Sequence, residues 1–193
     1  MTQGDWFRRS TWSEIDRAAF FARLSRSRSE FHKAQYVRIQ AFHLAEADTP
    51  EMHSAALELL GLLFRDWPEN SQLAQAYDQR ARSLLALGNV DGAIESFRMA
   101  LDAQRNEPSI RTDAHLGLAW LVATSAIATE YTEALEALDE FETGPFPTQQ
   151  YSAAAARALI LDATGKGVLL RSGRRGLSQQ RDSQVHLFVI TVL

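Results

Sequence analysis

The stretch that decides the fold is residues 76–101, AYDQRARSLLALGNVDGAIESFRMAL. Two helical patterns meet in it at Gly88-Asn89. Before that point, Ala76, Tyr77, Ala81, Leu84 and Leu85 recur at spacings that place them on one helix face. After it, Ala93, Ile94, Phe97, Ala100 and Leu101 do the same. Gly88 suits a left-handed C-cap, so one helix stops there and the chain reverses into the next. Small residues at Ala81, Ala93 and Ala100 let the two helices approach closely. Large ones at Tyr77, Leu84 and Phe97 fill the space between this pair and its neighbours.

Working outward, the same kind of pattern continues in both directions. Towards the N-terminus, the spacing predicts a helix over about 13–25, opened by Ser13 with Asp16 in a capping-box arrangement, its apolar residues being Ile15, Ala18, Ala19 and Leu24 with Phe20 and Phe21 beside them. Residues 1–11 read as a frayed lead-in, in which Trp6 and Phe7 have the apolar surface to pack back on the body but no spacing that fixes where. A second helix over about 29–47 follows a Ser29 cap, with Phe31, Ala34, Val37, Ala41, Leu44 and Ala45 as its stripe. Thr49 caps a third with Pro50 at its first position, where a missing N–H costs nothing, and Trp67-Pro68 ends it. Towards the C-terminus, helices are expected over about 109–126, 131–142 and 148–163, the last with Tyr151, Ala154, Ala155, Ala158, Leu159 and Leu161 as its apolar face. No strand pattern precedes residue 166, so the expectation is an all-α chain of about eight helices with short connections.

The residues Tyr77, Ala81, Leu84, Gly88, Ala93, Phe97 and Ala100 resemble the tetratricopeptide repeat, a family built on a unit of about 34 residues. They take its fourth, eighth, eleventh, fifteenth, twentieth, twenty-fourth and twenty-seventh positions, with Ala81 in place of the commoner glycine and Leu84 in place of the commoner tyrosine. Looser units open at Val37, Ala41 and Leu44, at His115, Ala119 and Val122, and at Ala154, Ala158 and Leu161. Their small residues Ala41, Ala81, Ala119 and Ala158 lie 40, 38 and 39 residues apart, longer than the family's unit, so the array is divergent, and the resemblance is to its bacterial-type members. The resemblance implies an α-solenoid of antiparallel helical hairpins over 29–165. A lead-in and capping helix precede it at 1–28, and an atypical tail follows at 166–193.

Bulk properties exclude several functions. The chain has no cysteine, which removes disulfides, thiolate metal sites and thiol nucleophiles. The N-terminus has no apolar run behind its arginines, and no stretch approaches the roughly 18 apolar residues of a membrane helix, so a cytoplasmic setting is expected. Net charge is −4, distributed as +4 over residues 1–40, −12 over 41–145 and +4 over 146–193. The acidic middle speaks against nucleic acid as a ligand there, because phosphates need cationic partners.

Catalytic signatures are missing. No two of His32, His43, His53, His115 and His186 stand three or four residues apart, and there is no HExxH. Gly165-Lys166-Gly167 lacks the remaining residues of a phosphate loop. No cofactor, metal ion or catalytic residue is expected. What the resemblance implies instead is a groove lined by the first helix of each hairpin. Its ligand-facing positions map to Gln35, Arg38, Phe42 and Ala45, to Gln75, Asp78, Arg82 and Leu85, to Asp113, Leu116, Trp120 and Ala123, and to Ser152, Ala155, Leu159 and Asp162. Among these, Arg38, Phe42, Gln75, Asp78, Arg82, Asp113 and Trp120 are the candidate partner-binding residues, the aromatics as anchors and the arginines as carboxylate grips. Core packing between hairpins is the competing role for Phe42 and Trp120. The family's paired Asn and Lys for a peptide carboxylate are absent.

The expected function is a non-enzymatic scaffold that binds another protein. A narrower form is an immunity- or antitoxin-like inhibitor whose acidic surface masks a cationic enzyme. The rival from another class is a helical enzyme or small-ligand domain. The tail joins a polar, basic stretch, RSGRRGLSQQRDSQ, to an apolar, β-prone one, VHLFVITVL. It lacks the amphipathic stripe of a second helix for the last hairpin, so it reads as a cap over the last helix, a partner-docking segment or route to homo-oligomers, or a stretch foreign to the repeat.

Overall fold

A computed structural model describes residues 5–165 of the chain. The expectations for residues 1–4 and for the tail at 166–193 lie outside the described residues. Within them the protein is all-α: α1 (Glu14–Leu24), α2 (Glu30–Ala45), α3 (Pro50–Asp66), α4 (Leu73–Ala86), α5 (Val90–Asn106), α6 (Ala114–Thr124), α7 (Tyr131–Glu140) and α8 (Pro147–Ala163), with no strand. No helix among the described residues is long and apolar enough to cross a membrane.

The helix starts follow their local chemistry. Ser13 and Asp16 form a reciprocal capping box at α1. Ser29 accepts from the His32 amide, Thr49 from that of Met52 with Pro50 in the first turn, and Asn89 from that of Gly92. The stops are equally regular. Asp48, Gly88, Ala126 and Gly165 all have φ between 52° and 77°, and they follow α2, α4, α6 and α8. Only glycine adopts this left-handed conformation without steric cost, so an aspartate and an alanine there show that tertiary packing holds the reversal.

Helices α2 to α7 each pack on the next in chain order, whereas α8 packs chiefly on α6. Two apolar clusters result. One joins Phe20 and Leu24 of α1 to Val37, Ala41 and Leu44 of α2 and to Leu59, Leu60 and Leu63 of α3. The other joins α4 to α8 around Phe97, Leu101, Leu118, Val122, Leu138 and Ile160. Helix α4 belongs to both, through Ala76 in the first and Ala81 in the second. Each large side chain so buried contributes about 1.5–3 kcal/mol. On the far side, Arg98 and Arg105 of α5 reach Glu133 and Glu140 of α7, at 2.8 Å and 2.7 Å from their Nε atoms. Those hydrogen bonds hold the Glu133 and Glu140 carboxyls below their ordinary pKa.

Several expectations are corrected. The lead-in is not frayed over residues 5–12. Trp6 and Phe7 pack on Phe20 and Tyr36, and buried Gln40 clamps the Arg9 backbone by accepting its N–H (3.1 Å) and donating to its carbonyl (2.8 Å). Helix α1 buries only Phe20, which meets Trp6 and Trp12, and Leu24, and Ile15 is 81% exposed because it lies on the opposite side of the helix. Phe31 likewise lies off the buried stripe of α2. Helix α6 begins at Ala114 rather than near 109, since Gln104 ties down Thr112 through its amide and hydroxyl and Thr112 Oγ1 then accepts from Ala114. Helix α8 buries Ala156 and Ile160, with Ala153 partly packed, and not the face read from its alanines. That face would be covered by a following helix, and α8 has none among the described residues.

Candidate functional site

Because α4 spends two of its faces on the two apolar clusters, its remaining polar face is free. Gln75, Asp78, Arg82 and Leu85 recur along that face at helical spacing, opposite Arg38, Phe42 and Ala45 of α2. Between them lies a groove of about 910 Å³. Asp48 and His53, residues 111–113 and the α7–α8 connection, including Pro145 and Phe146, complete its lining. A smaller recess of about 310 Å³ continues past Arg82 and Asp113 to Leu116, Trp120 and Ser152.

The structure therefore brings Arg38, Phe42, Gln75, Asp78, Arg82 and Asp113 to one groove and puts Trp120 in its extension. Phe42 and Trp120 are 41% and 40% exposed, so neither is a core residue. Of the remaining mapped positions, Gln35, Ala123, Ala155, Leu159 and Asp162 do not line either recess, and Leu116 is mostly buried. Sequence reasoning missed the residues supplied by turns, namely Asp48, Arg111, Glu142 and Phe146. Their one signal was the Gly144-Pro145 stop, which marks a loop without saying where it runs.

The two central arginines are held differently. Arg82 is bidentate to Asp78 one turn earlier, at 3.0 and 3.2 Å. Burial works against its charge, but Asp78 and Asp113 outweigh this and keep its pKa above the ordinary guanidinium value. Its side chain is still 54% exposed, so protein surrounds it on a concave floor that solvent reaches. Arg38 donates from Nε to Gln72 at 2.7 Å. In the amide orientation that its neighbours require, the Gln79 oxygen accepts from Arg38 Nη1 at 2.8 Å. Among the described residues no carboxylate pairs with Arg38, and burial pushes its pKa down. Arg38 is thus a fixed, uncompensated positive charge, whereas Arg82 is neutralised from within.

The rest of the groove is acidic. Glu46, Asp48, Asp78, Asp113 and Glu142 face Arg38, Arg82 and Arg111. Arg111 pairs with Glu142 at 2.9 Å, His53 Nε2 lies 3.1 Å from Asp48, and Gln149 donates to Asp113 at 2.8 Å. Among the described residues no group of three or more His, Asp or Glu side chains is arranged to hold a metal ion. Just behind the groove wall, His115 is 1% exposed and stacks on Phe141. Neither of its ring nitrogens has a well-aligned hydrogen bond. Burial pushes its pKa down, opposed by Asp113, Asp78 and the nearby Thr112 backbone.

The chain matches no family model, no curated protein and no solved structure.

Proposed function

We propose that the protein is a non-enzymatic, tetratricopeptide-like scaffold in which helical hairpins form a short solenoid and the groove binds a segment of another protein in the cytoplasm. The observation that carries this reading is the convergence of Arg38, Phe42, Gln75, Asp78, Arg82 and Asp113 on one open groove. A recurrence supports the repeat register: Asp48, Gly88, Ala126 and Gly165 are spaced by 40, 38 and 39 residues, the same intervals as Ala41, Ala81, Ala119 and Ala158. A groove with exposed aromatic and apolar side chains between fixed charges suits an extended or helical segment. The test is affinity purification with mass spectrometry, comparing the native chain with Phe42→Ala and Arg38→Ala variants whose helical circular dichroism is intact. A partner held by the native chain and lost from both variants supports the groove. A partner retained by both places binding elsewhere.

The excess of carboxylates in the groove favours one narrower reading, an inhibitor that masks a cationic surface. Exposed charges attract over about 8–10 Å at physiological salt, so such binding weakens steeply as salt rises. Retention of the same partner in 1 M salt would argue for the apolar anchors instead.

A further inference from the structure

The three hairpins and the last helix differ in one respect that bears on residues 166–193. In α2, Val37, Ala41 and Leu44 are buried on the side where α3 packs. In α4 the corresponding Ala81 is buried, with Tyr77 and Leu84 half-buried, on the side of α5. In α6, His115, Ala119 and Val122 are all buried. The same three positions of α8 are Ala154, Ala158 and Leu161. Ala154 and Ala158 are exposed and Leu161 is half-buried. Tyr151, on the same stripe, is 67% exposed, and neighbouring Leu159 is 47% exposed. An apolar stripe that three equivalent helices bury is here open.

We propose that residues 185–193, VHLFVITVL, of the same chain seat on this open face of α8, where α3, α5 and α7 serve the other three helices. The observations agree on this occupant. Gly165 has φ 71°, the reversal that after α4 sends the chain back along the helix it has just left. Residues 171–184 are polar and basic and unsuited to an apolar stripe, and the 19 residues from 166 to 184 span up to about 60 Å when extended. The 17-residue α8 is only about 25 Å long, so the terminal segment reaches any part of it. The segment carries no Asp, Glu, Lys or Arg and has a high β-propensity, which makes it an aggregation hazard unless covered. The alanines of α8 leave room for its branched side chains. Tethering also gives it an effective concentration near the millimolar range, which a second copy at micromolar concentration cannot match. This inference does not depend on the groove or its partner.

The absence of cysteine makes the test direct. In the full chain, Ala158→Cys supplies the single thiol, and Glu136→Cys, at an exposed site on α7, is the reference. Reaction with a maleimide in dilute solution is expected to be at least about tenfold slower at position 158 than at 136. Ending the chain at residue 183, or making Phe188→Asp with Ile190→Asp in the full chain, should restore the rate while helical circular dichroism is unchanged. The paired substitution decides the outcome if the shortened chain does not fold. Equal rates at 158 in the native and altered tails overturn the proposal. Protection that grows with protein concentration also overturns it, and assigns the face to a second copy.

Discussion

The hairpins α4–α5 and α6–α7 turn the chain in the same way with different means. In the first, Gly88 is left-handed and the Asn89 amide donates to the Leu84 carbonyl at 2.9 Å. In the second, Ala126 is left-handed and the Ile127 amide donates to Val122 at 3.1 Å. Around the turn they diverge. Helix α4 keeps a polar face for the groove and α5 starts on an Asn89 side-chain cap. Helix α6 buries seven of its eleven residues, because α5, α7 and α8 surround it, and α7 starts without a side-chain cap. A helix that is apolar all round is a buried helix. One backbone plan thus serves two purposes: the first hairpin presents a surface and the second supplies the support behind it.

Phe97 is what the two hairpins share, and removing it should have the largest effect. It is 1% exposed on α5, and a methyl group added at Gly117 of α6 would lie 2.6 Å from its ring. Phe97→Ala should lose about 3–5 kcal/mol, a large part of a domain's typical stability. Urea unfolding followed by circular dichroism measures this. A loss below about 1 kcal/mol would mean that the hairpins do not depend on a common ring.

The next prediction probes the support hairpin through His115. Its folded pKa lies below the unfolded value because burial disfavours the charge. Above the unfolded value, near 6.5, both states are neutral and the group has no pH effect. As pH falls below about 6.5 the unfolded chain binds a proton that the folded chain resists, so stability is lost until the folded value is reached. His115→Leu should flatten this branch of the unfolding midpoint between about pH 6.5 and 5. It should also gain about 1–3 kcal/mol at neutral pH, since two buried nitrogens without a well-aligned hydrogen bond disappear. An unchanged acid branch would show that another group sets it.

How far the sequence carried this picture depends on periodicity. The seven signature positions of residues 76–101 and the caps at Ser13, Ser29 and Thr49 are local, so their chemistry is readable without the fold. The groove residues came from a different source, the ligand-facing positions that the repeat resemblance implies, and Arg38, Phe42, Asp78 and Arg82 line one recess. What was not readable comes from tertiary context. Trp6 and Phe7 join Phe20 and Tyr36 while Ile15 faces solvent, and no element among the described residues covers the alanine face of α8. Asp48, Arg111 and Phe146 enter the groove from turns, whose paths carry no period.

Two glycines separate tight support from open surface at smaller cost. Gly117→Ala gains up to about 1 kcal/mol of helix propensity but drives a methyl into the fixed Phe97 ring, an overpacking of about 1–3 kcal/mol. The net expectation is a loss of about 1–2 kcal/mol, read as a lower unfolding midpoint. Gly61 of α3 has nothing within 4 Å of an added methyl, so Gly61→Ala should gain about 0.5–1 kcal/mol. Opposite signs for these chemically identical changes would place the close helix approach at α5–α6. Matching signs would remove it.

The smallest effects lie in the turns where the comparison began. A methyl at Gly88 also meets nothing within 4 Å, so Gly88→Ala is opposed only by its φ of 77°. That conformation costs a non-glycine residue about 1–2 kcal/mol, while the stiffer unfolded chain returns about 0.4–1 kcal/mol. A net loss near 1 kcal/mol follows. Ala126, at φ 53°, already bears this cost, so Ala126→Gly should gain up to about 1 kcal/mol for the mirror-image reason. The double variant should nearly equal the native chain, because distant sites add. A neutral Gly88→Ala beside a stabilising Ala126→Gly would show that only the support hairpin carries strain. The reverse would mean that α6, held on three sides, imposes the turn at Ala126 whatever residue occupies it.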